Sequence, residues 1–158
     1  MLRIKIDEIS RVDISGKGGA EAKIFPLFEN RLTRKNEPLY DAVDEDTQDT
    51  YEVKKQKDLQ WFDVGKYYGL TPREQHIIMI FIVYDDTGVS LIFTQTLGDF
   101  VGTCCADPDL AKDGWTEENI RDAAAKKRKY PSMQYKVPLK VKKYFAKYIN
   151  QVQVVYSR

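Results

Sequence analysis

Apolar and polar residues alternate in several short runs, and each run predicts an element. Leu2, Ile4 and Ile6 alternate with Arg3, Lys5 and Asp7, as in a strand or one face of a helix. Residues 39–43 and 50–56 read as extended segments on either side of an acidic turn. Ile77 to Tyr84 is uniformly apolar and rich in branched side chains, which predicts a central strand covered on both faces. Asp85-Asp86-Thr87-Gly88 then predicts a turn, and Val89 to Thr96 the returning strand of a hairpin. Ser15-Gly16-Lys17-Gly18-Gly19 lacks the spacing of a phosphate-binding loop and reads as a turn.

Helical signals are fewer. Asp58 to Tyr68 is a candidate helix. Thr71-Pro72-Arg73-Glu74 carries a capping box with proline at the first helical position. No second helix follows it, which excludes a DNA-binding helix pair. Thr116 to Arg128 is the best-formed helix: Thr116 caps it, Glu117 and Glu118 meet the positive end, and Lys126, Lys127 and Arg128 meet the negative end. Val137, Leu139 and Val141 alternate among lysines, while Val141, Tyr144, Phe145, Tyr148 and Ile149 form a helical stripe, so a strand runs into a helix.

The chain has 158 residues, of which 42% are hydrophobic, enough for one domain spanning 1–158. No run reaches the roughly 18 apolar residues of a membrane span. The charged N-terminus does not read as a signal peptide. Cys104 and Cys105 are adjacent, which suits neither a disulfide framework nor a zinc site, so a reduced, cytoplasmic protein is expected. The one histidine, His76, excludes a two-histidine mechanism and reads as a boundary residue.

The net charge of +1 hides an asymmetry: residues 1–123 carry −9 and residues 124–158 carry +10. Six aromatic residues interleave with the basic ones in that C-terminal region. Such a segment suits an anionic, nucleic-acid partner, the alternative being a solvated basic face with its tyrosines in the core.

Residues 37–54 hold the candidate chemistry. Glu52 and Lys54 are two apart, so on a strand they project from one face, while Tyr51 and Val53 take the other. Asp41, on the preceding strand, comes alongside them. Two carboxylates and an ammonium suit phosphodiester hydrolysis. Hard carboxylate oxygens bind Mg²⁺, which keeps waters and open positions for a phosphate, and a lysine orients or deprotonates the attacking water. The bland alternative is a solvated acidic hairpin. An EF-hand reading of 41–52 fails, because Val43 stands at a ligand position and Asp46 replaces the turn glycine.

Asp41, Glu52 and Lys54 form a D-x10-E-x-K arrangement that resembles the PD-(D/E)xK nuclease superfamily, and more narrowly the PvuII-type restriction endonucleases. Asp41-Ala42-Val43-Asp44 is similar to that family's metal-binding Asp-Ala-Val-Asp, and Tyr51-Glu52-Val53-Lys54 to its Tyr-Glu-Leu-Lys. Ile80 to Tyr84 resembles its central strand, and Lys136 to Val141 its C-terminal strand. One extra residue separates Asp41 from Glu52, fewer residues precede Asp41, and the family's histidine run and asparagine pair are absent.

The resemblance implies an α/β (α+β) fold, a mixed central sheet of about five strands flanked by helices. It implies a homodimer that cuts double-stranded DNA at a short palindrome with Mg²⁺. Asp41 and Glu52 would bind the metal, and Lys54 would position the water. Gln134 would read adenine, with Ser132 a weaker reader, and Lys126, Lys127, Arg128, Lys129 and Lys136 would grip phosphates. Glu8, Glu21 and Glu37 are candidates for a further carboxylate, and Asp44 replaces Asp41 if the register slips. Trp61, Phe62, Tyr67 and Tyr68 read as core or dimer-face aromatics. A structure-specific junction or repair nuclease of the same fold, and a non-enzymatic DNA- or protein-binding module, are the alternatives.

Overall fold

A computed structural model describes residues 1–5, 14 and 20–158. Ile6, Glu8 and the turn read at 15–19 lie outside the described residues. The strands are β1 (Leu32–Arg34), β2 (Ala42–Asp44), β3 (Thr50–Gln56), β4 (Leu59–Asp63), β5 (Ile78–Asp85), β6 (Gly88–Thr96), β7 (Lys136–Lys140) and β8 (Gln153–Ser157). The helices are α1 (Ala20–Ile24), α2 (Pro72–Gln75), α3 (Leu97–Ala106), α4 (Pro108–Ala111), α5 (Glu117–Lys129) and α6 (Val141–Lys147).

Six strands form a mixed sheet in the order β1-β2-β3-β5-β6-β8, and β4 and β7 form a separate two-stranded ribbon. Among the described residues, β3 and β5 run parallel and the other pairings in this sheet are antiparallel. The expected mixed sheet flanked by helices is present, with one strand more than the five anticipated and the ribbon besides.

The apolar run of β5 works on both faces. Met79, Phe81 and Val83 enter one core with Phe93, Phe100, Trp115 and Tyr144. Ile80 and Ile82 enter the other with Ala42, Tyr51 and Ile92. The Phe81 and Phe93 rings, paired across β5 and β6, stack at 4.7 Å.

The helix expected over 58–68 is not formed. The segment is β4 followed by a 3-10 turn, Val64–Tyr67. Its backbone pairs with β7 from the far end of the chain, and Val141 N–H donates to the Asp58 carbonyl at 2.8 Å. That distant partner overrides the local helical spacing. Gly65 lets the turn press on α5, where a Cβ would lie 3.1 Å from the Ala123 carbonyl oxygen.

The apolar pattern of the sequence predicts neither helix α3 nor strand β8. Thr96 caps α3 by accepting the Asp99 N–H at 3.3 Å, and Leu97, Phe100 and Cys104 face the core. Two glycines, at 98 and 102, mask that pattern. The capping box at Thr71–Glu74 and the Thr116 cap of α5 form as expected. Strand β7 runs directly into α6. His76 is exposed at the end of α2. Among the described residues, no helix is long and apolar enough to cross a membrane.

Candidate active site

The β2–β3 hairpin is built by Asp44. Its Oδ1 accepts the N–H groups of Asp46 and Thr47 at 2.9 and 3.3 Å, and its Oδ2 accepts the Asn30 amide at 3.1 Å. Asp44 is therefore spent on the turn and is not a substitute for Asp41. The same contacts pin the register, Ala42 opposite Tyr51 and Val43 opposite Thr50.

That register brings Asp41 beside the middle of β3. Its N–H donates to the Tyr51 carbonyl at 2.7 Å, and its Oδ2 accepts the Val53 N–H at 2.9 Å. Glu52 and Lys54 share the opposite face from Tyr51 and Val53, as the alternation predicts. That face is also covered: Glu52 lies beside Met79 and Lys54 beside Phe81 on the neighbouring strand. Lys54 Nζ is 3.2 Å from Glu52 Oε1 and 5.7 Å from the centre of the Phe62 ring.

Both side chains are largely withdrawn from water, 16% exposed for Glu52 and 23% for Lys54. Burial pushes the Glu52 pKa up to about 7; Lys54 and Lys66 pull it down and Asp41 pushes it further up. Glu52 is thus poised between its two protonation states near neutral pH.

Glu52 and Lys54 open into a cavity of about 40 Å³, whose wall also includes Leu39, Asp63, Lys66 and Tyr67. Burial, then the Glu52 and Asp63 carboxylates, raise the Tyr67 pKa, so it remains a neutral phenol. Asp63 takes the Lys127 ammonium and, at 3.3 Å, the Tyr135 N–H. Val64 N–H donates to the Tyr135 carbonyl at 3.2 Å. The basic C-terminal region is therefore anchored at the wall of the same cavity.

The remaining predicted residues divide. Lys126, Arg128 and Lys129 are exposed on the last turn of α5, with Lys126 Nζ 5.8 Å from the Tyr135 ring and Lys129 Nζ 5.5 Å from the Tyr130 ring. Lys127 is turned inward to Asp63. Ser132 and Gln134 are exposed in the loop before β7, and Lys136 is exposed at its start. Glu37 is exposed and lies outside the cavity wall, and Glu21 sits on α1. Phe62 and Tyr67 are core residues, whereas Trp61 and Tyr68 are about half exposed.

The sequence pattern does not single out Asp63 and Lys66, because a helix over 58–68 would direct them differently. The adjacent Trp61-Phe62 pair, rich in strand-favouring aromatics, was the available signal. Among the described residues, no three His, Cys, Asp or Glu side chains gather as a metal cage. Asp41 and Glu52 are the two carboxylates here that could share a cation, with water or a ligand completing its shell. No protein-family model matches the chain, and no curated protein matches it.

Proposed function

We propose that this chain is a Mg²⁺-dependent endonuclease that hydrolyses phosphodiester bonds in double-stranded DNA, a homodimer of the restriction-endonuclease type acting at a short palindrome. The observation that carries the reading is Glu52: a desolvated carboxylate with Asp41 on one side and the Lys54 ammonium 3.2 Å away on the other. A desolvated carboxylate with a second one nearby fits a divalent cation, whose charge offsets the burial and holds Glu52 as an anion. When bound there, Mg²⁺ would supply an acidified water and charge neutralisation at the phosphate.

The chain's own groups do the rest. Asp41 is held in place by accepting the Val53 N–H and lies close enough to Glu52 to raise its pKa. Lys54, braced by Glu52 and the Phe62 ring, orients the attacking water through its ammonium N–H groups and offsets the charge that develops on the phosphate. Lys66, in the cavity wall, meets the developing phosphate charge. Asp63 ties α5 to this wall, so a duplex gripped by Lys126, Arg128 and Lys129 lies beside the cavity.

The test is incubation of phage lambda DNA with the chain in Mg²⁺, with an EDTA control. Discrete, EDTA-sensitive bands are expected. Glu52→Ala and Lys54→Ala should lose cleavage while retaining duplex binding; full cleavage by both would overturn the proposal. Cleavage confined to branched DNA would move the reading to a junction nuclease of the same chemistry. Sedimentation of the protein with and without duplex tests the dimer.

A further inference from the structure

The ribbon of β4 and β7 has an inner face and an outer face. Phe62, Val137 and Leu139 are buried in the core. Flanking them along the two strands, Leu59 and Trp61 on β4 and Lys136 and Lys140 on β7 are exposed. The register sets Trp61 opposite Pro138 and Leu59 opposite Lys140. Residues opposite one another share a face, so the indole lies across Pro138 with Lys136 and Lys140 two residues to either side.

Trp61 is 48% exposed, whereas Trp115, the other tryptophan, is fully buried and donates its Nε1–H to the Pro138 carbonyl at 3.3 Å. Neither Lys136 nor Lys140 forms an ion pair among the described residues. Asp63, the acid on this strand, has its carboxylate occupied by Lys127 and the Tyr135 N–H. The outer face is therefore an aromatic plane flanked by two lysines outside any ion pair, Lys136 across from Asp63 and Lys140 in a groove it shares with Asp109 and Asp113.

We infer that this face binds an unpaired nucleotide of the DNA substrate, with Trp61 stacking on the base and Lys136 and Lys140 contacting the phosphates on either side. The inference rests on the nuclease reading for its ligand and narrows that reading to DNA in which a base leaves the stack. An indole between ammonium groups matches the alternation of π-face and phosphate along a single strand. A paired base inside a duplex hides its face, so the ligand is a single strand, an overhang or an extruded base. Asp63, which lines the cavity holding Glu52 and Lys54, follows Trp61 by two residues, roughly 7 Å along the strand. A strand stacked on Trp61 thus continues toward that cavity.

The test is tryptophan emission of the full chain in EDTA at low salt, titrated with a thymidine oligonucleotide and separately with a blunt duplex. Quenching by the single strand at lower concentration than by the duplex is expected, since Trp61 is the accessible indole. Trp61→Ala should weaken single-strand binding by about 10- to 100-fold, read by labelled oligonucleotide, and Trp61→Phe should retain part of it. Lys140→Ala should lower the salt slope by roughly 0.7. The Trp115 emission, unchanged in Trp61→Ala, reports that the variant is folded. Unaltered single-strand affinity in Trp61→Ala overturns the inference, as does equal quenching by duplex. A loss of self-association in that variant with binding retained would assign the face to a second copy and equally overturn it. Because EDTA stops cleavage, quenching by a chain that never cuts DNA would sink the nuclease reading alone, and cutting without quenching would sink this one alone.

Discussion

Two carboxylates in adjacent strands show how the same group is used in opposite ways. Asp44, at the end of β2, and Glu52, in β3, are both withdrawn from water. Burial pushes the Asp44 pKa up, but the Asn30 amide and the Asp46 and Thr47 N–H groups outweigh it and leave it below the usual carboxylate value. Glu52 has one ammonium in contact, and burial wins, with a pKa of about 7. A carboxylate surrounded by donors is finished as a structural element. One that is desolvated and short of donors is poised for a proton or a cation.

Substituting Glu52 breaks this comparison most sharply. Glu52→Gln should reduce Mg²⁺-dependent cleavage by at least about 100-fold, measured on supercoiled plasmid. It should also stabilise the metal-free protein. The folded pKa of about 7 lies above the ordinary 4.5, so wild-type stability is undiminished below pH 4.5 and falls as pH rises through 7. Urea unfolding at pH 8 should therefore show the variant more stable by about 1–3 kcal/mol, with no gain at pH 4.

Asp44→Ala should do the reverse. It leaves three donors without an acceptor and should cost about 2–3 kcal/mol while cleavage per folded molecule persists. The folded pKa of Asp44 lies below 3.8, so its stabilisation is present above pH 3.8 and disappears as pH falls through the folded value. Urea midpoints of wild type and variant should converge in acid.

Millimolar Mg²⁺ sharpens the contrast without using activity. It should raise the melting temperature of the wild type by about 2–5 °C at pH 8 and by less at pH 6, where Glu52 holds its proton. Glu52→Gln should abolish that rise, and Asp44→Asn should retain it. The smallest effect concerns the basic arm. Arg128→Ala, at an exposed position, should leave stability within about 0.5 kcal/mol and lower the salt slope of duplex binding by roughly one. Lys127→Ala should instead cost about 1–2 kcal/mol by leaving Asp63 without its cation.

Much of the sheet was legible because its signals are local. The two-residue period of β3, the apolar run of β5 and the Asp85–Gly88 turn each declare a strand or a hairpin without reference to distant residues. The pairing of Glu52 with Lys54 follows from the same period. The caps of α2 and α5 are read equally well, since a threonine side chain and an N–H three residues on are neighbours in any helix.

What the sequence by itself determined is thus strands β3, β5 and β6, the shared face of Glu52 and Lys54, and the charge divide between residues 1–123 and 124–158. Only the tertiary structure decided that 59–63 is a strand, because its ladder partner lies at 136–140. The same pairing turned Trp61 outward and Asp63 toward the cavity, and Asp63 then drew Lys127 from the basic arm. Nor does the sequence state how deeply Glu52 is covered: its poised carboxylate comes from burial beneath residues far along the chain, a property no local pattern carries.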